Sequence, residues 1–197
     1  MSRIASQERN TKETKIKGSL ELDGKGVSDI ATGIGFLDHM LDLLARHSGM
    51  DLSIRCDGDL NVDGHHTTED IGIVIGKMLA EALGEKRGIN RYGFSSIPMD
   101  EALAQCSLDI SGRPFLVLQA EFGGEYVGEF ATELVEEFFR AVSFNAGLTL
   151  HLKCEYGAND HHKIEAMFKA FARALRIAVS IDEKFKDQIP STKGVLS

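Results

Sequence analysis

The segment Gly49-Met50-Asp51-Leu52-Ser53-Ile54-Arg55-Cys56 returns later in the chain as Gly147-Leu148-Thr149-Leu150-His151-Leu152-Lys153-Cys154. Gly, the central Leu and Cys coincide, and Met/Leu, Ile/Leu and Arg/Lys replace like with like. Both stretches alternate as β-strands do. The likeness extends downstream, where a loop (DGDLNVDG, then EYGAND) leads into HHTTEDIGIVIGKMLAEAL from His65 and HHKIEAMFKAFARAL from His161. Upstream, Phe36 to Leu44 and Leu134 to Val142 carry apolar residues at helical spacing. Earlier still, Leu22-Asp23-Gly24-Lys25-Gly26 and Leu108-Asp109-Ile110-Ser111-Gly112-Arg113 read as hairpin turns between alternating strands.

The chain is therefore written twice, as strand, turn, strand, helix, strand, helix, with the halves meeting near Gly93 to Asp100. We expect an α+β fold of two similar half-domains, 1–95 and 96–197, packed as one compact unit. Each is a four-stranded mixed sheet with two helices on one face. The outer face of such a helix pair is still apolar, so the simplest burial packs the halves helix to helix, between the two sheets.

With 197 residues and 43% apolar content, the chain has material for a core. A net charge of -8 and the lack of a basic stripe argue against nucleic acid, and an anionic small substrate would need locally gathered Arg and Lys. Cys56, Cys106 and Cys154 are odd in number and widely spaced, which predicts reduced, buried thiols. MSRIASQERNTKET is polar, and apolar runs such as IGIVIG are too short to span a bilayer. The expected compartment is the cytoplasm, with no membrane partner.

One His-His-x-x-Glu motif is explained by a helix N-terminus with a carboxylate complementing the dipole. Two copies at equivalent positions, His65-His66 with Glu69 and His161-His162 with Glu165, point instead to metal binding. Neighbouring helical residues project about 100° apart, so each pair of histidines should serve two different ions. Glu69 lies four residues from His65 and three from His66 and can join either. His39, ten residues before Gly49, and Glu137, ten before Gly147, complete eight candidates that divide into two sites of four. Four ligands leave open positions on an octahedral ion, and imidazole with carboxylate suits Mn, Fe(II), Co or Zn. His47 could satisfy a helix C-terminus. His151, between Leu150 and Leu152, reads as structural.

Further markers are TKET at 11–14, Gly35-Phe36-Leu37-Asp38-His39-Met40, Asp63-Gly64-His65-His66-Thr67-Thr68-Glu69-Asp70, Arg91-Tyr92-Gly93, Ser111-Gly112-Arg113-Pro114-Phe115 and Ser191-Thr192-Lys193-Gly194. With the histidine motifs they make the chain closely resemble the imidazoleglycerol-phosphate dehydratases over almost its whole length. The resemblance implies a ribosomal S5 domain 2-like fold used twice, two Mn2+ ions per subunit, and a homo-oligomer of twenty-four subunits with metals at subunit contacts. It implies removal of water from imidazole glycerol phosphate to give imidazole acetol phosphate, in histidine biosynthesis.

Carried over, the resemblance assigns one metal to His39, His66, His161 and Glu165, and the other to His65, Glu69, His162 and position 137. Many members have His at that position, where this chain has Glu137. Three readings are open: Glu137 ligates through oxygen, Glu136 or another group substitutes, or the second site is one ligand short. Ligation is preferred, since carboxylate suits a hard divalent ion. Substrate contacts are implied at Glu13, His39, His47, His65, Glu69, His161 and Lys169, with the phosphate held by Arg91, Arg113, Ser191 and Lys193. Ile189 to Lys193 reads as a tail ordered by substrate.

The carbon that loses its proton is not next to a carbonyl, so the substrate's own imidazole must act as electron sink. Metal coordination favouring the imidazolate would let it expel the adjacent hydroxyl through a diazafulvene. Glu13 is the first acid-base candidate. Lys169, four residues after Glu165, is either a second or a simple i,i+4 ion pair. A metal-storage protein would use the same ligands without Arg113 or Glu13. A kinase-like phosphate binder would need a nucleotide-cradling glycine run, and no GxxxxGK[ST] is present.

Overall fold

The structure, a computed structural model, describes residues 3–196. In chain order the first half comprises β1 (Ile4–Asn10), β2 (Thr14–Glu21), β3 (Ser28–Ala31), α1 (Gly35–Ser48), β4 (Asp51–Gly58) and α2 (His65–Leu83). The second comprises β5 (Tyr92–Met99), β6 (Ala102–Asp109), β7 (Phe115–Gln119), the short pair β8 (Tyr126–Val127) and β9 (Phe130–Ala131), α3 (Leu134–Ala146), β10 (Thr149–Tyr156) and α4 (Asp160–Val179).

The duplicated glycines close helices. Gly49 and Gly147 sit at φ 81° and 67°, and their N–H groups donate to Ala45 and Ser143 carbonyls at the ends of α1 and α3. Left-handed backbone of this kind favours glycine, and it turns the chain straight into the next strand. That strand, β4 or β10, is central in its sheet: the orders are β1-β2-β4-β3 and β5-β6-β10-β7. In each sheet the last pair is parallel and the others antiparallel.

Two sequence expectations are corrected here. The glycine-rich segments at 22–26 and 108–113 are not hairpin turns, because the strands they join are not neighbours. They carry the chain past the place taken by β4 or β10 to a short third strand. Asp51 at the start of β4 holds the first crossing, accepting from the N–H of Lys25 (2.7 Å) and Val27 (2.8 Å). The hairpins turn instead at Thr11 to Glu13 and at Asp100-Glu101. The halves are joined by residues 84–91, so the division expected at 95/96 falls inside β5, which pairs only within the second sheet.

Alternation places Ile16, Leu20, Leu52 and Ile54 under the helices and Lys15, Lys17 and Arg55 outside. The helices then bury their remaining faces on each other, α2 against α3 and α1 against α4. The α2–α3 crossing is close because Gly72 and Gly76 lack side chains: a Cβ at Gly72 would stand 2.7 Å from Ala141 Cβ and 2.9 Å from the Phe138 carbonyl oxygen. Phe138, Phe139, Phe168 and Phe171 fill the centre, with ring centroids 4.8–5.4 Å apart. The thiols are free, yet only Cys106 is fully buried; Cys56 and Cys154 are half-buried. Burial pushes the Cys56 thiol up to about 11.

Candidate metal centre and anion site

Helix packing decides which donors meet. His161 and Glu165 lie one turn apart on α4, and α1, packed on α4, brings His39 to the same place. His161 Nε2 is 3.2 Å and His39 Nε2 3.4 Å from Glu165 Oε2. The three donor atoms all lie within 4.8 Å of one another. Glu165 is only 6% exposed, and Lys169 Nζ holds its other oxygen at 2.5 Å. Burial pushes the Glu165 carboxyl up, but Lys169 and His39 outweigh it, so the group is held below its ordinary range. Two imidazoles and an ionised carboxylate converging without thiolate form a donor set fit for a divalent ion.

The back of this cluster is apolar. Phe36 meets the His161 ring edge-on at 5.0 Å and packs on Phe130 at 5.6 Å. Phe130 is supplied by the β8–β9 excursion, which the first half lacks. The signal available from sequence was the longer spacing between third strand and helix in the second half. His47, near the end of α1, is half-buried, and burial followed by Lys169 and Arg173 lowers its pKa. No hydrogen bond ties it to the helix end among the described residues.

The other candidates stand apart. Glu137, His65 and Glu69, which match the trio by repeat, do not converge; the trio is the one such group among the described residues. His65 lines an open cleft of about 470 Å³ with Asp63, Tyr126, Glu129 and Glu133. Glu69 is half-buried on α2. Glu137 has Arg140 Nε at 3.8 Å, and Glu136 also pairs with Arg140. His66 and His162 belong to neither group. Asp59 accepts from His66 Nδ1 (3.0 Å) and Glu101 from His162 Nδ1 (2.7 Å), and each carboxylate raises its histidine's pKa. The far ring nitrogen of His66 faces Glu13 Oε1 at 3.8 Å. His151 points outward from β10.

The cations assemble elsewhere. Asp109 takes a two-pronged bond from Arg91 (2.7 and 3.0 Å), and Arg113 Nη2 lies 3.9 Å from it. Arg91 Nη1 donates to the Pro190 carbonyl (2.9 Å), which brings Ser191 beside the pair. Residues 188–196 are tied at both ends: Gly88 N–H donates to the Gln188 carbonyl, and Lys86 Nζ to that of Leu196. Among the described residues no hydrogen bond or ion pair links this group to the His39 trio. Sequence reading missed Asp109, Asp59 and Glu101.

A model of the family described as imidazoleglycerol-phosphate dehydratase matches residues 32–175. The chain belongs to this family. It is 59% identical over 195 residues to the imidazoleglycerol-phosphate dehydratase of Clostridium botulinum (strain Alaska E43 / Type E3), covering 99% of each. It is 58% identical over 200 residues to that of Lactococcus lactis subsp. lactis (strain IL1403), covering 100% of each. The solved dehydratase of Staphylococcus aureus subsp. aureus N315 superimposes with a TM-score of 0.83 at 50% identity, over 91% of this chain and 99% of that one. A Pyrococcus furiosus structure in complex with (S)-C348 also reaches 0.83, at 37% identity over 96% and 100%. As a member of the family the chain is a hydro-lyase with dehydratase activity in histidine biosynthesis. No helix among the described residues is long and apolar enough to cross a membrane.

Proposed function

We propose that the chain converts imidazole glycerol phosphate to imidazole acetol phosphate and water in the cytoplasm, as a manganese enzyme working in a homo-oligomer. The observation that carries this reading is the convergence of His39, His161 and Glu165, backed by Lys169. His66 is the fourth donor of that site, and His65, Glu69, His162 and Glu137 hold a second ion. Since His66 and His162 lie outside the local trio, another copy of the chain completes each site, in an assembly of twenty-four subunits. The ions would supply Lewis-acid stabilisation of the substrate's imidazole as an anion.

The remaining work falls to side chains of this protein. The imidazole ring's electrons expel the neighbouring hydroxyl, and Lys169 Nζ, held on Glu165, gives that departing oxygen a proton. A diazafulvene results. Glu13, whose half-exposed carboxylate makes no hydrogen bond among the described residues, then removes the now acidic C–H proton, and the enol tautomerises to the ketone. Arg113, Ser191 and Lys193 bind the phosphate. Arg91 contributes as well, but most of its donors are committed to Asp109 and Pro190, so it anchors the segment bearing Ser191.

Incubating the purified protein with imidazole glycerol phosphate, before chelation, after it, and after manganese is restored, tests this. Ketone product should vanish on chelation and return with manganese. No product with metal restored would overturn the reading. Chelation should also lower the sedimentation coefficient, because ligands shared between chains stabilise the assembly by linkage; an unchanged profile would count against shared sites.

A further inference from the structure

The strand registers uncover a repeat that the sequence alone conceals. Ile16 pairs with Cys56 and Ala104 with Cys154, and these cysteines are repeat equivalents. Counting back three residues from each partner, Glu13 corresponds to Glu101, both at the tip of the first hairpin of their half. Their carboxylates have opposite fates. That of Glu13 is half-exposed and makes no hydrogen bond among the described residues, with His66 Nε2 3.8 Å away. That of Glu101 is fully engaged: Oε1 accepts from the N–H of Ala158 (3.0 Å) and Asn159 (2.7 Å), and Oε2 from His162 Nδ1 (2.7 Å). Asn159 is in turn the N-cap of α4, its side chain accepting from the His162 N–H.

His66 lacks such a clamp from its hairpin, and its Nδ1 is held instead by Asp59 from the loop before α2. The two candidate histidines that belong to neither repeat-related trio are thus the two with a carboxylate on Nδ1. A carboxylate there fixes the proton on Nδ1 and leaves the Nε2 lone pair as the donor; that nitrogen faces Glu13 Oε1 in His66 and Asp100 Oδ2 in His162, each at 3.8 Å and beyond hydrogen-bond reach.

We propose that Asp59 and Glu101 are positioning residues, each presenting the Nε2 of one histidine, His66 or His162, to an ion held mainly by another copy of the chain. This rests on the two-metal reading above. Register-equivalent positions thus serve different ends, Glu13 open to chemistry and Glu101 a splint.

The test is manganese binding to the full chain, by equilibrium dialysis with elemental analysis and by the electron paramagnetic resonance of free Mn2+. Glu101→Gln retains an oxygen for the two backbone N–H groups but sets an amide opposite Nδ1. Wild type should bind two ions per chain. Glu101→Gln should weaken one of them by about 10- to 100-fold, the scale for losing an orienting partner, and excess manganese should restore full occupancy. Asp59→Asn should weaken the other ion and spare the one that Glu101→Gln affects. Circular dichroism of the metal-free proteins keeps the result apart from misfolding. Wild-type affinity at both ions in either folded variant, or loss of the same ion in both, would overturn the proposal. Wild type binding no manganese would instead overturn the two-metal reading itself.

Discussion

His39, His161 and Glu165 occupy the same places in the repeat as Glu137, His65 and Glu69, yet only the first three converge. The difference lies one turn along each helix. Glu165 is followed at i+4 by Lys169, which grips Oε1 and turns Oε2 toward both imidazoles; Glu69 is followed by Ile73, which can grip nothing. On the other side, Glu137 has Arg140 one turn away competing for it, whereas His39 meets Glu165 directly. Duplication preserved donor positions, but preassembly depends on a cation behind the carboxylate. A buried Glu gripped by an ammonium is pre-organised, while half-buried Glu69, with no ion pair of its own among the described residues, must be ordered when the ion arrives, at a cost in affinity.

The strongest way to break this comparison is to remove the carboxylate of the assembled trio. Glu165→Gln deletes a donor and leaves the Lys169 ammonium without its partner. We expect one ion to be lost, turnover to fall by about 10²- to 10³-fold, and the folded state to lose about 3 kcal/mol, as when one member of a buried pair is removed. Manganese stoichiometry, kcat and urea unfolding check the three effects. Two ions per chain in the variant would show that convergence in the single chain does not mark a metal site.

A sharper cut concerns the unassembled trio. Glu137→Ala should weaken the second ion by at least about tenfold, or 1.4 kcal/mol, with the first untouched. Glu137→His, which makes the two trios alike, should keep both ions. Equal binding by wild type and Glu137→Ala would assign that position to Glu136 or leave the site one ligand short. A metal-loaded structure gives the same answer directly, through a Glu137 oxygen within about 2.5 Å of the ion.

These contrasts show where the sequence speaks and where it is silent. The repeat was legible because Gly49 and Gly147 are left-handed caps and because strands β4 and β10, central in their sheets, alternate over Asp51 to Cys56 and Thr149 to Cys154. The first strands, β1 and β5, were not: the repeat as read opens on one strand before each glycine-rich segment, and Ile4–Asn10 at the sheet edge buries one side chain, Ala5. The turns misled because glycine marks chain reversal, whereas the real hairpins turn on Thr11 to Glu13 and on Asp100, a non-glycine residue at φ 47°. The meeting of His39, His161 and Glu165 follows from helix spacing once α1 packs on α4. Asp59, Glu101 and Asp109 were invisible because their roles depend on loop conformation and strand register, and neither leaves a periodic trace.

The smallest expected effect compares the hairpin glutamates through acid titration. The Asn159 N–H and then His162 hold the Glu101 carboxyl down to about 2, and Glu101 raises the pKa of His162. A depressed carboxyl contributes stability that is complete above its unfolded value of 4.5 and is lost as the pH falls toward 2. A raised histidine contributes stability that is complete below 6.5 and is lost as the pH rises through its folded pKa. The pair therefore stabilises the metal-free chain most between about pH 4.5 and 6.5. The urea midpoint of wild type minus that of Glu101→Gln should peak in this window and shrink on both sides. A difference that stays flat from pH 2 to 8 would mean that Glu101 and His162 do not meet as charged partners. Because other groups titrate alike in both proteins, the subtraction isolates the Glu101 carboxylate: the acid limb also carries its bonds from the Ala158 and Asn159 N–H groups, and the alkaline limb reports the same imidazole that is proposed to receive the ion.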